Sequence, residues 1–237
     1  MKRQFQKNQI LALLPEPTFA AWSDHLELVN LPMGKVLFEA GPGPSHVYFP
    51  TTAIVSFVYV LENGGSAEVA MTGREGMAGM YLLMGGGKSH NRAIVYTPGQ
   101  AARLPLKVLQ DSFQLEPEVQ RIFLLFMQAL VIQMAQIAVC HRHHTLEQQL
   151  CRMLLLVMDR LEGRTIEMTH EVISQLMGVR REGVTLAAKR LMQEGVIHYA
   201  RGRITIIDRH TLEHKACECY GVIRFEYARL LRRCAHA

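Results

Sequence analysis

The chain has 237 residues, 49% of them apolar and 20% charged, a composition that fits a soluble globular protein of one large or two smaller domains. Its net charge of +5 is unevenly spread: from Met1 to Val139 ten Lys and Arg balance ten Asp and Glu, whereas from Cys140 to Ala237 sixteen face eleven. A basic half beside a neutral one suggests a polyanion-binding module joined to something else, although a solvated basic face gives the same count.

The basic start, Met1-Lys2-Arg3-Gln4, is not followed by an apolar core of leader length. Ile10–Leu14 is too short, and Pro15 and Pro17 interrupt it. Residues 1–28 are expected to be helical, with apolar positions Ile10, Leu13, Leu14, Phe19, Trp22 and Leu26. From Val29 to about Leu106 the pattern becomes short apolar runs cut by glycine and proline: Val36–Phe38, Val47–Phe49, Ile54–Leu61, Ala67–Met71 and Ala93–Tyr96. Strands punctuated in this way predict a small antiparallel roll. Asn63-Gly64 between two such runs marks a hairpin, because both positions tolerate positive φ.

Residues 118–140 return to helical spacing and form the most apolar long run. Arg121, Gln128, Gln133 and Gln136 are costly at mid-bilayer, so a soluble buried helix is expected and no membrane partner. Ile122, Leu125, Ala129, Ile132, Gln136 and Val139 recur at steps of three and four, as in a two-chain seam. The other side (Phe123, Leu124, Met127, Leu130, Val131, Met134) is equally apolar, so the helix needs cover all round. A homodimer through this helix satisfies that need, and so does a core position in a monomer.

His141-Arg142-His143-His144 then breaks the pattern before a second amphipathic helix over Thr145–Leu161. The histidine cluster fits no standard ligand spacing and reads as a solvated hinge. Cys217-Glu218-Cys219 fixes too few ligands by itself, so no metal is expected. The five cysteines, all in the second part of the chain, read as reduced thiols of a cytoplasmic protein.

The segment with the clearest chemistry is 169–207. Thr169 can cap a helix through Met177, Gly178 can reverse the chain, and a second helix follows to Glu194 with Gly195 as its stop. Two short helices about a glycine turn form a helix-turn-helix, whose second helix enters the DNA major groove N-terminus first. Arg180-Arg181-Glu182 opens that second helix. Arginine can grip the two acceptor atoms of guanine, and glutamate can accept from the amine of cytosine. Two arginines at the positive end of a helix dipole are otherwise unfavourable, a cost that a DNA duplex would relieve. Val196–Tyr199 and Ile204–Ile207 flank Arg201-Gly202-Arg203 as a two-stranded wing with a basic turn suited to phosphate.

This segment resembles the DNA-binding domain of the Crp/Fnr family of bacterial transcription regulators. The order of the preceding elements resembles that family too: short helices, β-roll, long helix, hinge. The resemblance implies an α+β chain with three parts. Residues 1–115 would be a cyclic-nucleotide-binding-like roll acting as sensor, 116–143 a dimerisation helix and hinge, and 144–237 a winged helix-turn-helix with an extension. It further implies a sequence-specific regulator, not an enzyme, that binds double-stranded DNA as a dimer and engages RNA polymerase. Arg181 and Glu182 match the family's base-reading pair, Arg180 precedes it, and Thr169, His170 and Arg203 fall at phosphate-contacting positions. A later recognition-helix arginine of several members is Leu186 here.

The effector stretch departs further from the family. In members that bind cyclic nucleotide, a glutamate holds the ribose and a downstream arginine holds the phosphate. The matching residues are Gly76, Met77, Ala78 and Gly79, followed by Arg92 and Ala93. Met77 accepts no ribose proton, a loss of about 1.5–3 kcal/mol, so cyclic AMP is a poor fit and another small molecule is expected. Arg92 fits an anion site and a structural hydrogen bond equally. The extension over 209–237 spaces Leu212, Ala216, Tyr220, Ile223, Tyr227 and Leu230 as a helix with a basic tail (Arg229, Arg232, Arg233). A ligand-binding module without DNA function is the competing reading.

Overall fold

Three short helices, α1 (Lys2–Phe5), α2 (Gln9–Leu13) and α3 (Glu16–Ser23), open the computed structural model. It describes residues 2–85 and 87–235, leaving out the side chains of Leu230 and residues 232–235. Asn8 ties the first helices to the loops at Pro50 and Gly76. Its side-chain oxygen caps α2 by accepting from Ile10 and Leu11, and its amide donates to the carbonyls of Pro50 (2.9 Å) and Gly76 (2.8 Å). A fully buried asparagine is thereby satisfied at both ends.

The strands are β1 (Glu27–Leu31), β2 (Val36–Phe38), β3 (Gly41–Pro42), β4 (His46–Pro50), β5 (Ile54–Val60), β6 (Ser66–Thr72), β7 (Lys88–Ser89), β8 (Arg92–Thr97) and β9 (Gly99–Pro105), with a 3₁₀ turn over Met80–Met84. They form antiparallel sheets in the orders β2-β8-β5-β6 and β1-β9-β4, with a small β3-β7 pair. Side chains of both larger sheets, among them Val47, Phe49, Ile54, Met71 and Leu104, join one core. Each of the five expected runs falls on a strand, with Leu61 alone lying just past the end of β5, and Asn63-Gly64 sits in the β5–β6 connection. The helical reading of residues 1–28 stops short: α3 ends at Ser23 and Glu27 opens β1. Pairing with β9, from Glu27 with Arg103 to Leu31 with Gly99, overrides the helical spacing of Leu26.

After α4 (Leu106–Leu115) comes the long helix α5 (Pro117–His143). By length and composition α5 could cross a membrane, but it is packed against α4, β6 and α2, and against the C-terminal helix. Trp22 of α3, Phe49 of β4 and Phe123 of α5 meet with ring centroids 6.2–6.3 Å apart. The face of α5 covered by its own chain carries Val119, Ile122, Phe123, Phe126, Ala129, Leu130, Gln133, Ile137 and Cys140. Leu124, Gln128, Val131, Ala135 and Ala138 are exposed instead. The uncovered stripe is thus rotated from the expected seam, two of whose members, Ile122 and Ala129, belong to the core, while its last member, Val139, is exposed. A helix that is apolar all round satisfies the seam spacing on several stripes, and only the fold selects which one stays open.

The remaining elements are α6 (Leu146–Met158), β10 (Thr165–Glu167), α7 (His170–Met177), α8 (Arg181–Gln193), β11 (Ile197–Ala200), β12 (Arg203–Ile206), α9 (Arg209–Lys215) and α10 (Glu218–Ala235). Thr145 and Gln148 start α6 with a reciprocal capping box, and every residue from Gln149 to Met158 is buried. The extension is helical as expected, and α10 lies along α5. Arg229 of its basic tail pairs with Glu226, whereas the side chains of Leu230, Arg232 and Arg233 lie outside the described residues.

A buried polar network joins roll, long helix and C-terminal half. Arg160, just beyond α6, donates to Glu75 in the turn after β6 (2.7 Å) and to the carbonyl of Leu156 (2.7 Å). It also reaches Gln133 (3.4 Å) and lies over the ring of Tyr227, 5.6 Å from its centroid. Tyr227 in turn donates to Gln133 (2.9 Å), whose amide donates to the carbonyl of Met71 (3.2 Å). Inside the roll, Glu68 accepts a hydrogen bond from Ser56 (2.6 Å), yet burial pushes its pKa up to about 7.

Both carboxylates make checkable statements. Arg160→Ala leaves Glu75 buried and unpaired and should lower the unfolding free energy by about 3–5 kcal/mol in urea titration. The double variant Glu75→Leu/Arg160→Met should recover most of that loss. Because the native state holds the Glu68 proton to higher pH than the unfolded chain does, stability falls as pH rises from 4.5 to about 7. Glu68→Gln removes this slope, so its stability relative to the parent should rise by up to about 3 kcal/mol between pH 4 and pH 8 in paired denaturation curves.

Candidate nucleic-acid interface

Thr169 caps α7 by accepting from the amide of Val172 (3.2 Å), and the amide of Met168 binds the Gly202 carbonyl in the wing (2.6 Å). Ile173, Leu176 and Met177 are buried, which fixes the face that α7 turns inward. Gly178 then takes the left-handed conformation (φ 64°), a backbone that a residue with Cβ adopts only at a cost of about 1–2 kcal/mol. The amide of Val179 returns to the Ser174 carbonyl and closes the turn (3.0 Å).

The second helix, α8, buries Val184, Ala187, Ala188 and Leu191, and presents Arg181, Glu182, Thr185, Leu186 and Lys189 to solvent. Its N-cap is Arg180, extended (φ −72°, ψ 140°), exposed and providing no side-chain cap. The first amides of α8 therefore point outward beside two arginines, an arrangement that attracts anions. Arg181 is held only loosely, 3.9 Å from Glu171. Leu186 is 53% exposed on the same face.

Behind the helix, β11 and β12 pair from Ile197 with Ile206 to Ala200 with Arg203, and β10 adds to the far edge of β12. The connecting residues Arg201 (φ 51°) and Gly202 (φ 76°) make the tight mirror-image turn of a two-residue hairpin. Arg203 is exposed and pairs with Glu167 at 2.9 Å.

His170 is placed differently from the other expected contacts. Its ring stacks on Tyr199 (centroids 4.1 Å, 18° between planes), Nδ1 lies 3.1 Å from the Thr185 hydroxyl, and Nε2 is buried. Burial lowers its pKa, and Arg181 adds to the effect, so the ring is neutral at physiological pH. It braces α7, α8 and β11 against one another. The signal that distinguishes this role from a phosphate contact is the aromatic Tyr199 in the wing, which sequence spacing does not pair with His170.

The expected effector residues do not converge. Met77 and Ala78 are fully buried in the roll, and a Cβ at Gly76 would meet Phe126 at 2.3 Å. Ala93 also faces the roll interior, but Arg92, its neighbour on β8, turns outward to Glu39 (2.7 Å). Of the two readings of Arg92, the structure shows an ion pair. Gly79 borders a different space, a cleft of about 210 Å³ between the 3₁₀ turn and α5, lined by Phe57, Met80, Tyr81, Met127, Leu130 and Met134 among others.

A roll joined through a long helix to a winged helix-turn-helix with an exposed basic helix end defines a DNA-binding transcription regulator. Comparisons with known proteins agree with that class. Residues 148–215 match the Crp-like helix-turn-helix domain. The chain is 23% identical over 192 residues to the global nitrogen regulator of Synechococcus elongatus, spanning 77% of this chain and 86% of that protein. The counterpart from Nostoc is likewise 23% identical, over 76% of this chain and 85% of its own length. Among solved structures, a transcriptional regulator of the Crp/Fnr family from Eubacterium rectale superposes with a TM-score of 0.67 at 16% identity, covering 89% of this chain and 98% of that one. FixK2 from Bradyrhizobium japonicum gives 0.68 at 15% identity, covering 81% and 98%. The chain thus carries a Crp-like helix-turn-helix domain and is similar to regulators of the Crp/Fnr family, and the expected α+β fold is the one observed.

Proposed function

We propose that the chain works as a homodimer on a near-palindromic duplex site in the cytoplasm, with half-sites about one helical turn apart. Residues 1–115 act as sensor, 116–143 as dimerisation helix and hinge, and 144–237 as the DNA-binding part. Arg181 and Glu182 read base edges, while Arg180, Arg203 and Thr169 hold phosphates and His170 keeps the reading helix in place. The observation that carries this reading is the uncapped, exposed N-terminus of α8 with Arg180, Arg181 and Glu182 at its tip. Leu186, outward on the same helix, offers an apolar contact to a thymine methyl. The bound dimer engages RNA polymerase, as the family resemblance implies.

The second chain packs against the open stripe of α5, where Leu124 and Val131 are 48% and 57% exposed. The effector seat is the apolar cleft beside Gly79, which borders that stripe, so a ligand there would touch the dimer interface as well as the roll. No charged side chain lines this cleft among the described residues, so an uncharged, apolar ligand suits it better than a cyclic nucleotide.

Two measurements test the reading. Affinity for the operator should fall steeply with salt, and Arg181→Ala should weaken operator binding by about 1–3 kcal/mol while leaving random DNA nearly unaffected. Equal loss on both DNAs would make Arg181 a phosphate contact only, and salt-independent or absent DNA binding would remove the function. Val131→Glu, at an exposed position, should leave the fold intact by circular dichroism but give a single-chain mass by light scattering. A dimer of unchanged mass would place the interface elsewhere.

A further inference from the structure

The hinge after α5 and the start of α10 come together around four side chains that spacing along the sequence keeps apart. Cys140 and His144 sit at i and i+4 at the end of α5, so both project from the same side of the helix. Cys217 and Cys219 flank the first turn of α10. One ligand atom from each of these residues lies within 4.8 Å of all the others. Cys140 Sγ is 3.4 Å from Cys217 Sγ, and Cys219 Sγ is 3.7 Å from His144 Nδ1. The three cysteines are at most 4% exposed.

We infer that Cys140, His144, Cys217 and Cys219 form a tetrahedral site for one divalent metal ion of the zinc type. A tetrahedron with metal–sulfur bonds of about 2.3 Å and a metal–nitrogen bond of about 2.0 Å separates two sulfurs by about 3.8 Å and sulfur from nitrogen by about 3.5 Å. The Cys140–Cys217 and Cys219–His144 separations sit within about 0.4 Å of those values, and no pair of ligand atoms is more than 4.8 Å apart. Three soft thiolates with one imidazole select zinc over the hard, oxygen-loving cations. An iron–sulfur cluster interposes its own irons and sulfides between cysteines and would hold them farther apart.

The surroundings have the character of a second layer of support. His144 turns Nδ1 to the sulfurs and Nε2 to Glu218, 3.2 Å away, the carboxylate–histidine pairing that orients metal ligands. The carbonyls of His144 (2.9 Å) and Cys140 (3.3 Å) both accept from the side-chain amide of Gln149, which ties down the end of α5. Three thiolates on a dication leave one negative charge. The N-terminal end of α10 and the buried Arg152, which acts electrostatically on Cys140, oppose that charge. Neither half of the site is a motif alone: Cys217-Glu218-Cys219 supplies two ligands, and the helix end supplies the other two only once α10 has docked. The inference does not depend on the DNA-binding reading. A metal here would tie the hinge of the long helix to the helix lying back along it.

The test uses the full-length chain, purified under reducing conditions without chelator. Elemental analysis should find about one zinc per chain, and the metal-free reduced protein should bind added zinc strongly enough to take it from a micromolar chromophoric chelator. Cobalt substitution should produce near-ultraviolet thiolate-to-metal bands and the intense visible bands of tetrahedral cobalt. Cys219→Ser should lose these bands, Cys151→Ala should keep them, and Glu218→Gln should weaken affinity about 10–100-fold. If Cys219→Ser fails to fold, the parent's cobalt spectrum and Glu218→Gln still decide. No zinc uptake against the chelator, a Cys140–Cys217 disulfide in the reduced preparation, or iron with acid-labile sulfide would each overturn the inference.

Discussion

The architecture depends on how one helix is covered. α5 carries apolar side chains around its whole circumference, and in water each uncovered strip is a standing free-energy cost. The roll and the N-terminal helices cover one side, with Phe123 and Phe126 as the largest buried groups. The C-terminal helix covers another, and Tyr227 reaches Gln133 across that contact. What remains includes a stripe of Leu124, Gln128, Val131, Ala135 and Ala138, small or apolar except at Gln128, at the three-and-four spacing that suits a second helix, with Val139 exposed beside it. Gln133 is the polar exception on the buried side, tolerated because Met71, Tyr227 and Arg160 together satisfy it.

The reading face follows the opposite logic. The rest of the winged helix is locally consistent: Thr169 caps α7, Gly178 turns the chain, and Ile173, Val184 and Leu191 seal the interhelix contact. At the tip of α8 the rules are broken, since no side chain caps the helix and two arginines meet its positive end. Local conflict in an otherwise consistent region is where function is sought. The wing and His170 surround that tip with a rigid frame, so the unfavourable end is held ready and not allowed to relax.

Much of this was legible in the sequence because it rests on local chemistry. Glycine and proline punctuation gave the strands of the roll, and Thr169, Gly178 and Arg180–Glu182 gave the helix-turn-helix. Long-range pairing was not legible. The strand from Glu27 reads as helix until β9 is beside it, and the open stripe of α5 is chosen by which neighbours cover its other sides. Arg92 has the residue type that the family resemblance implies, but alternation on β8 sends it outward to Glu39 while Ala93 goes in. The Cys140, His144, Cys217 and Cys219 grouping joins positions up to 79 residues apart and exists only in the folded chain.

The helix-turn-helix leans on the roll through its first helix. α7 packs on β6, the Gly178 turn lies near the backbone of Ser66 and Ala67, and Val172, Gln175 and Leu176 line a cleft shared with Val58 and Arg92. The second helix packs on α6, α7 and β11. On the proposed reading, the surface that couples the roll to the DNA-binding part and the surface that chooses the DNA sequence therefore draw on different residues. With base reading assigned to Arg181 and Glu182 as proposed, exchange of these residues or of Leu186 would change the target genes without disturbing the contact between α7 and the roll. With the roll as the proposed sensor, reshaping it would equally change the signal answered while keeping the same set of genes.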